Sequence, residues 1–142
     1  MHKSILLPVD LNHKSSWEKA APEAVAIAKQ NGAKIHLLTV IPDFGMSVVG
    51  TFFPADYAEQ ALQSGAEKLA ELAAEIIPDD LLAKVHTAYG SAYQEIVRTA
   101  KEQGCDLIVL ASHRPEMSDY LLGPNAARVA RHAEQSVMIV RN

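Results

Sequence analysis

Apolar and polar positions along the chain recur with two periods, and the switches between them mark the elements. Ser4 to Val9 is a short apolar run with Pro8 near its end, where the loss of one ladder donor is tolerated, so it predicts a buried strand. Asp10 follows, then the polar stretch Leu11 to Ser16, with Ser15 or Ser16 as the candidate N-cap of a first helix. Trp17, Ala20, Ala21, Ala24, Val25 and Ala28 fall on one helical face, and Asn31-Gly32 supplies a left-handed stop. Lys34 to Val40 predicts the second strand. From about Asp56 to Ile77, Ala58, Leu62, Ala66, Leu69, Ala73 and Ile76 form the apolar stripe of a long helix that Pro78 ends.

Between these two elements, Pro42 to Pro54 has no clean period and holds Gly45 and Gly50, which predicts a mobile loop. It also carries Phe44, Met46, Val48, Val49, Phe52 and Phe53, too apolar for an idle linker, so part of it is expected to pack as a lid or contact surface. Lys84 to Tyr89 is the third strand. Gly90-Ser91 makes a turn with an N-cap serine, and Tyr93, Ile96, Val97 and Ala100 form a helix stripe ended by Gly104. The run Asp106 to Ala111 is the fourth strand, Asn125 to Ala133 the last helix and Val137 to Val140 the fifth strand. Strands alternating with helices imply an α/β fold with a parallel sheet, right-handed crossovers and helices on both faces. Strand order is not legible in periodicity. No internal repeat, linker or low-complexity segment interrupts residues 1–142, so one domain is expected.

The stretch from the fourth strand onward carries the candidate chemistry. Leu110-Ala111-Ser112-His113-Arg114 places small residues directly after a buried strand, where a ligand can approach the backbone. Leu121-Leu122-Gly123-Pro124-Asn125 then opens a helix, with proline where its missing N–H costs least. A strand, a small-residue loop and a helix start together form an anion-binding arrangement, because free amides and the helix dipole both favour phosphate. As a motif shape alone, this is also an ordinary strand-to-helix connection.

These residues resemble the C-terminal signature of the universal stress protein family. Ala111-Ser112-His113-Arg114 stands where the family has Gly-x-x-Gly, and Gly123-Pro124 stands where it has Gly-Ser, after a spacer one residue shorter. The Ser-His-Arg-Pro and Leu-Leu-Gly-x-Asn-Ala variant is similar to the small single-domain bacterial subgroup of F and G type. Ile5-Leu6-Leu7-Pro8-Val9-Asp10 resembles the family's opening strand, so the likeness spans nearly the whole chain. It implies an adenine nucleotide alpha hydrolase-like sheet of order 3-2-1-4-5, with Asp10 and Ala111 to Arg114 at the crevice where strand order reverses. It further implies a homodimeric regulatory module of the stress response that binds ATP or another adenine nucleotide, with or without Mg2+, and hydrolyses it slowly at most. The implied nucleotide contacts are Pro8, Val9, Asp10, Val40, Leu110, Ala111, Ser112, His113, Arg114, Gly123, Pro124 and Asn125.

Individual residues carry alternatives. Asp10 suits a ribose, a metal-associated water or the capping of a loop amide, and the resemblance favours nucleotide contact. Val40 matches a position that touches adenine in the family, although strands of this kind commonly end in a buried valine. Arg114 offers phosphate a guanidinium fork. His113 is paired by no recognised motif with a nucleophile, and the six histidines show no metal-ligand spacing, so neither a catalytic residue nor a metal site is expected. Arg128 and Arg131 are expected on a solvated helix face. The run Val137-Met138-Ile139-Val140 is a core strand or, as the resemblance implies, an edge strand forming a dimer seam. Ala111, Arg114 and Pro124 also suit an adaptor of the same fold that has lost nucleotide affinity and acts through an unknown regulatory protein partner.

Composition narrows these classes. A chain of 142 residues is long enough to bury roughly 68–70% of its unfolded surface. The net charge of −4 argues against a general nucleic-acid binder. No apolar run approaches the ~20 residues of a membrane helix, and Met1-His2-Lys3-Ser4 leads straight into a strand without a signal peptide. The single cysteine, Cys105, excludes an internal disulfide. A cytoplasmic protein is expected. An ATP pyrophosphatase would need a Ser-Gly-Gly-x-Asp-Ser loop where this chain has Asp10-Leu11-Asn12-His13. A phosphorelay receiver would need an aspartate where it has Tyr89-Gly90.

Overall fold

In the computed structural model, residues 2–42, 57–112 and 123–141 are described. Five strands run β1 (Ser4–Pro8), β2 (Lys34–Pro42), β3 (Leu82–Gly90), β4 (Leu107–Ser112) and β5 (Ser136–Arg141). Among the described residues, four α-helices connect them: α1 (Ala20–Asn31), α2 (Tyr57–Ile76), α3 (Ala92–Glu102) and α4 (Gly123–His132). The sheet is parallel throughout, in the order β3-β2-β1-β4-β5. Ile5 of β1 registers with Ile35 on one side and Leu107 on the other, which makes β1 the centre of the sheet.

Each face of the sheet is a separate core. Ile5, Leu7, Ile35, Leu37, Leu107 and Val109 pack towards α1 and α2, against Ala24, Ala28, Leu69 and Ala73. The intervening residues Leu6, Leu38, Ile108 and Leu110 pack on the other face, against Ile96, Ala100, Ala126 and Val129 of α3 and α4. This is the continuous apolar pattern of strands covered on both sides. Alanines on α1 let its backbone approach the sheet closely.

The element boundaries depart from expectation in instructive places. Neither Ser15 nor Ser16 caps α1. Lys14–Ser16 is a separate single turn, α1 starts at Ala20, and Lys19 stands at its N-cap without a side-chain bond. The Ser16 hydroxyl is instead committed to the loop before it. Ser91 does stand at the N-cap of α3, but its hydroxyl makes no capping bond; its carbonyl accepts from the Glu95 N–H at 3.0 Å. Strand β2 runs two residues past its expected end, to Pro42, and β3 starts two residues early, at Leu82, and runs one past, to Gly90. Gly32 ends α1 at φ +68, as its place after Asn31 predicts. Arg128 is exposed but not simply solvated, since its guanidinium carbon lies 5.4 Å from the centre of the Tyr93 ring. The expected loop Pro42 to Pro54 lies, beyond Pro42 itself, outside the described residues. No described helix is long and apolar enough to cross a membrane.

Candidate functional site

The order 3-2-1-4-5 reverses direction at β1, and the connections leaving β1 and β4 diverge to opposite faces. Such a point leaves a crevice at the carboxyl ends of the strands. A cavity of about 790 Å³ lies there. It brings together Pro8, Val9, Asp10, Val40, Leu110, Ala111 and Asn125, residues drawn from four elements and separated by more than a hundred positions in sequence. Ser112, by contrast, is buried at the end of β4 and does not line the cavity. His113 and Arg114 lie outside the described residues. Gly123 and Pro124 form the first turn of α4, two residues earlier than the helix predicted from Asn125.

The chain stays extended beyond β1. The Val9 N–H donates to the Leu38 carbonyl at 2.8 Å, and the buried Thr39 hydroxyl donates to the Val9 carbonyl at 2.9 Å. These bonds deliver Asp10 to the mouth of the cavity. One Asp10 carboxylate oxygen accepts from the Asn12 N–H at 3.0 Å, and the other lies 2.9 Å from His13 Nδ1. The Ser16 hydroxyl accepts from the Asp10 N–H at 2.8 Å and shares its own proton between the carbonyls of His13, at 2.8 Å, and Asp10, at 3.1 Å. Of the roles open to Asp10, the capping of a loop amide is therefore realised directly. The loop is a closed hydrogen-bonded unit, which is why Ser16 is not a helix cap.

The opposite wall belongs to α4. Its first turn carries no acidic side chain, while Arg131 and His132 occupy the last turn. The basic end complements the dipole, and the positive N-terminal end meets the cavity at Asn125 with no acidic side chain in its own first turn. A third wall was not anticipated from sequence. Ala61, Ser64, Gly65 and Lys68 of α2 recur at helical spacing and line the cavity. The one local signal is Gly65, unfavourable inside a helix and placed where a Cβ would sit 3.1 Å from Ile41 Cδ1. Among the described residues no group of three His, Cys, Asp or Glu side chains is placed to hold a metal ion.

A doubly wound parallel sheet with a crevice at its switch point is the arrangement at which open α/β sheets as a class take their ligands. The family model described as the universal stress protein family matches residues 1–141. The chain is 35% identical to universal stress protein G of Shigella flexneri over 144 aligned positions, covering 99% of this chain and all of that protein. It is 29% identical to universal stress protein A homolog 1 of Coxiella burnetii, over 98% of this chain and 96% of that one. This chain belongs to the universal stress protein family. Among solved structures, the fold is similar to that of hypothetical protein MJ0577, with a TM-score of 0.79, 24% identity and coverage of 100% and 97% of the two chains. It is also similar to a universal stress protein in complex with cAMP, with a TM-score of 0.66, 23% identity and coverage of 99% and 97%. At these identities the structural likeness speaks for the fold.

Proposed function

We propose that this protein is an adenine-nucleotide-binding regulatory dimer of the stress response, acting in the cytoplasm and without rapid catalysis. The observation that carries the reading is the cavity itself. It lies at the switch point and is walled by Asp10, Val40 and Ala111, with Asn125 from a first turn of α4 that carries no acidic side chain. Apolar strand ends suit a planar base, Asp10 suits a ribose hydroxyl, and helix N-terminal amides suit phosphate. A family relative of the same fold has been solved with cAMP, which supports a nucleotide of this class. Mg2+ would enter with a triphosphate, since it is commonly held by phosphates and one or two carboxylates, and Asp10 is the carboxylate of this cavity.

The dimer is assigned to β5. It lies at the edge of the sheet, paired only with β4 among the described strands, and Met138 and Ile139 are the large apolar side chains it leaves exposed. Mass spectrometry of small molecules released from the purified protein, together with calorimetric titration by AMP and ATP, tests the nucleotide reading. Recovery or binding of an adenine nucleotide is expected. No recovery and no binding would overturn it in favour of an adaptor acting through a regulatory protein partner. Two observations favour that second reading: Pro124 brings no N–H to the first turn of α4, and both Asp10 carboxylate oxygens already have partners within their own loop.

A further inference from the structure

Among the described residues, the cationic side chain of the cavity comes from α2. Asp10 is the one acidic side chain lining it among the described residues, and Lys68 is the one lysine or arginine. A phosphate entering beside the Asp10 carboxylate meets like-charge repulsion, which a nearby cation relieves. The α4 amides supply only part of that, since Pro124 removes one donor from the first turn.

Lys68 is held where it can serve. Gly65, one turn earlier, lets α2 come down on β2 against Ile41 and Thr39, so close that even a Cβ would sit a tight 3.1 Å from Ile41 Cδ1. Ser64 and Lys68 are four residues apart, hence neighbours on the helix face that lines the cavity. Lys68 makes no ion pair with another described residue, so its ammonium is not already neutralised there. A hydroxyl and an ammonium side by side form a two-donor grip for one anionic group.

Resting on the nucleotide reading, the geometry points to Ser64 and Lys68 as a phosphate grip on α2, which makes the cavity select phosphorylated adenosine over adenosine. The grip binds through charge and hydrogen bonding and takes no part in bond making or breaking. Its ligand class is the nucleoside phosphate, the terminal phosphate lying against α2 while the base stays at the strand ends.

Titration calorimetry of the parent, Lys68→Gln, Lys68→Arg and Ser64→Ala with adenosine, AMP and ATP tests this. Lys68→Gln should weaken ATP by about tenfold or more, since a hydrogen bond to a charged group is lost, and flatten the salt dependence of binding. Adenosine should be unaffected, Lys68→Arg should retain ATP, and Ser64→Ala should give a smaller loss confined to the phosphorylated ligands. Lys68 is exposed, and thermal melts of the variants will register any loss of fold separately. Equal loss for adenosine and ATP, or unchanged ATP binding in Lys68→Gln, overturns the grip and leaves the nucleotide reading standing. A parent that binds neither adenosine nor ATP overturns both.

Discussion

His36 of β2 and His86 of β3 stack across adjacent strands. Their ring centres are 5.1 Å apart, and His36 Nδ1 lies 2.9 Å from His86 Nε2. In the neutral pair one ring donates to the other. Burial holds the pKa of each ring below 6.5; Lys84 lowers both further, and His36 adds to the depression of His86. The unfolded chain therefore takes up protons before the folded one does.

Stability should accordingly fall as pH drops through 6.5, and continue to fall until the lowered folded-state values are passed. Above 6.5 both rings are neutral in both states and the effect vanishes. Urea denaturation of the parent and of His86→Leu at pH 7.5 and pH 5.5 measures it, the two values being chosen to bracket the ordinary titration range of about 5–8. The parent should lose more stability on acidification than the variant. Equal losses would show that the pair does not set the acid sensitivity.

Gly65 gives a steric prediction. A Cβ there would sit 3.1 Å from Ile41 Cδ1, the far end of a flexible side chain that has a little room to give. In Gly65→Ala, the helix gains about 0.5–1 kcal/mol of backbone propensity, which offsets the tight contact, so the net change should stay within about 1 kcal/mol. Gly65→Leu cannot be absorbed in this way. It should push α2 from β2, cost about 1–3 kcal/mol and lower ligand affinity, because Gly65 lines the cavity. Chemical denaturation of both variants decides this, and a stable Gly65→Leu protein would show that α2 is free to move.

The contrast between these two sites explains how much was legible in sequence. The strands were readable because both faces of each are buried, leaving continuous apolar runs such as Leu107 to Leu110, and Gly32 announced its own left-handed turn. Strand order came from family resemblance, since nothing local in β1 states that its neighbours are β2 and β4. Pro8, Val9, Asp10, Val40, Leu110, Ala111 and Asn125 line the crevice, each at or near an element end, which is a position that sequence pattern can mark. Ser64 and Lys68 were missed because a polar residue facing a cavity has the same helical spacing as one facing water. The cap expected at Ser15 or Ser16 failed for a related reason: Ser16 satisfies the Asp10 loop, a contact set by the path of the chain and not by the residues beside it.

Strand β5 predicts an association surface. Side chains alternate along a strand, so Met138 and Ile139 lie on opposite faces, and both remain more than a third exposed at 37% and 38%. Val137 and Val140 are by contrast half-buried against the two cores. Ile139→Lys should give monomers in light scattering without unfolding the chain, since the site is already partly wet. An unchanged dimer would move the seam away from β5.

The first turn of α4 carries the last prediction. Gly123-Pro124 occupies the place where the family has Gly-Ser, and a serine there brings both an N–H and a hydroxyl. Proline brings neither, which leaves the backbone amides of Gly123, Asn125 and Ala126 to meet an anion. A hydrogen bond to a charged group is worth roughly 1.5–3 kcal/mol, and 1.4 kcal/mol is about tenfold in affinity. Pro124→Ser should therefore tighten ATP by about one to two decades on the same scale. Arg114→Gly should weaken it, if the guanidinium replaces the missing donor. Combined with Lys68→Gln, the serine variant separates the two walls of the cavity. If α4 and α2 hold different phosphates of one chain, the effects should add, because groups with no shared partner behave independently. A gain from Pro124→Ser that disappears in the Lys68→Gln background would mean that both walls grip the same phosphate.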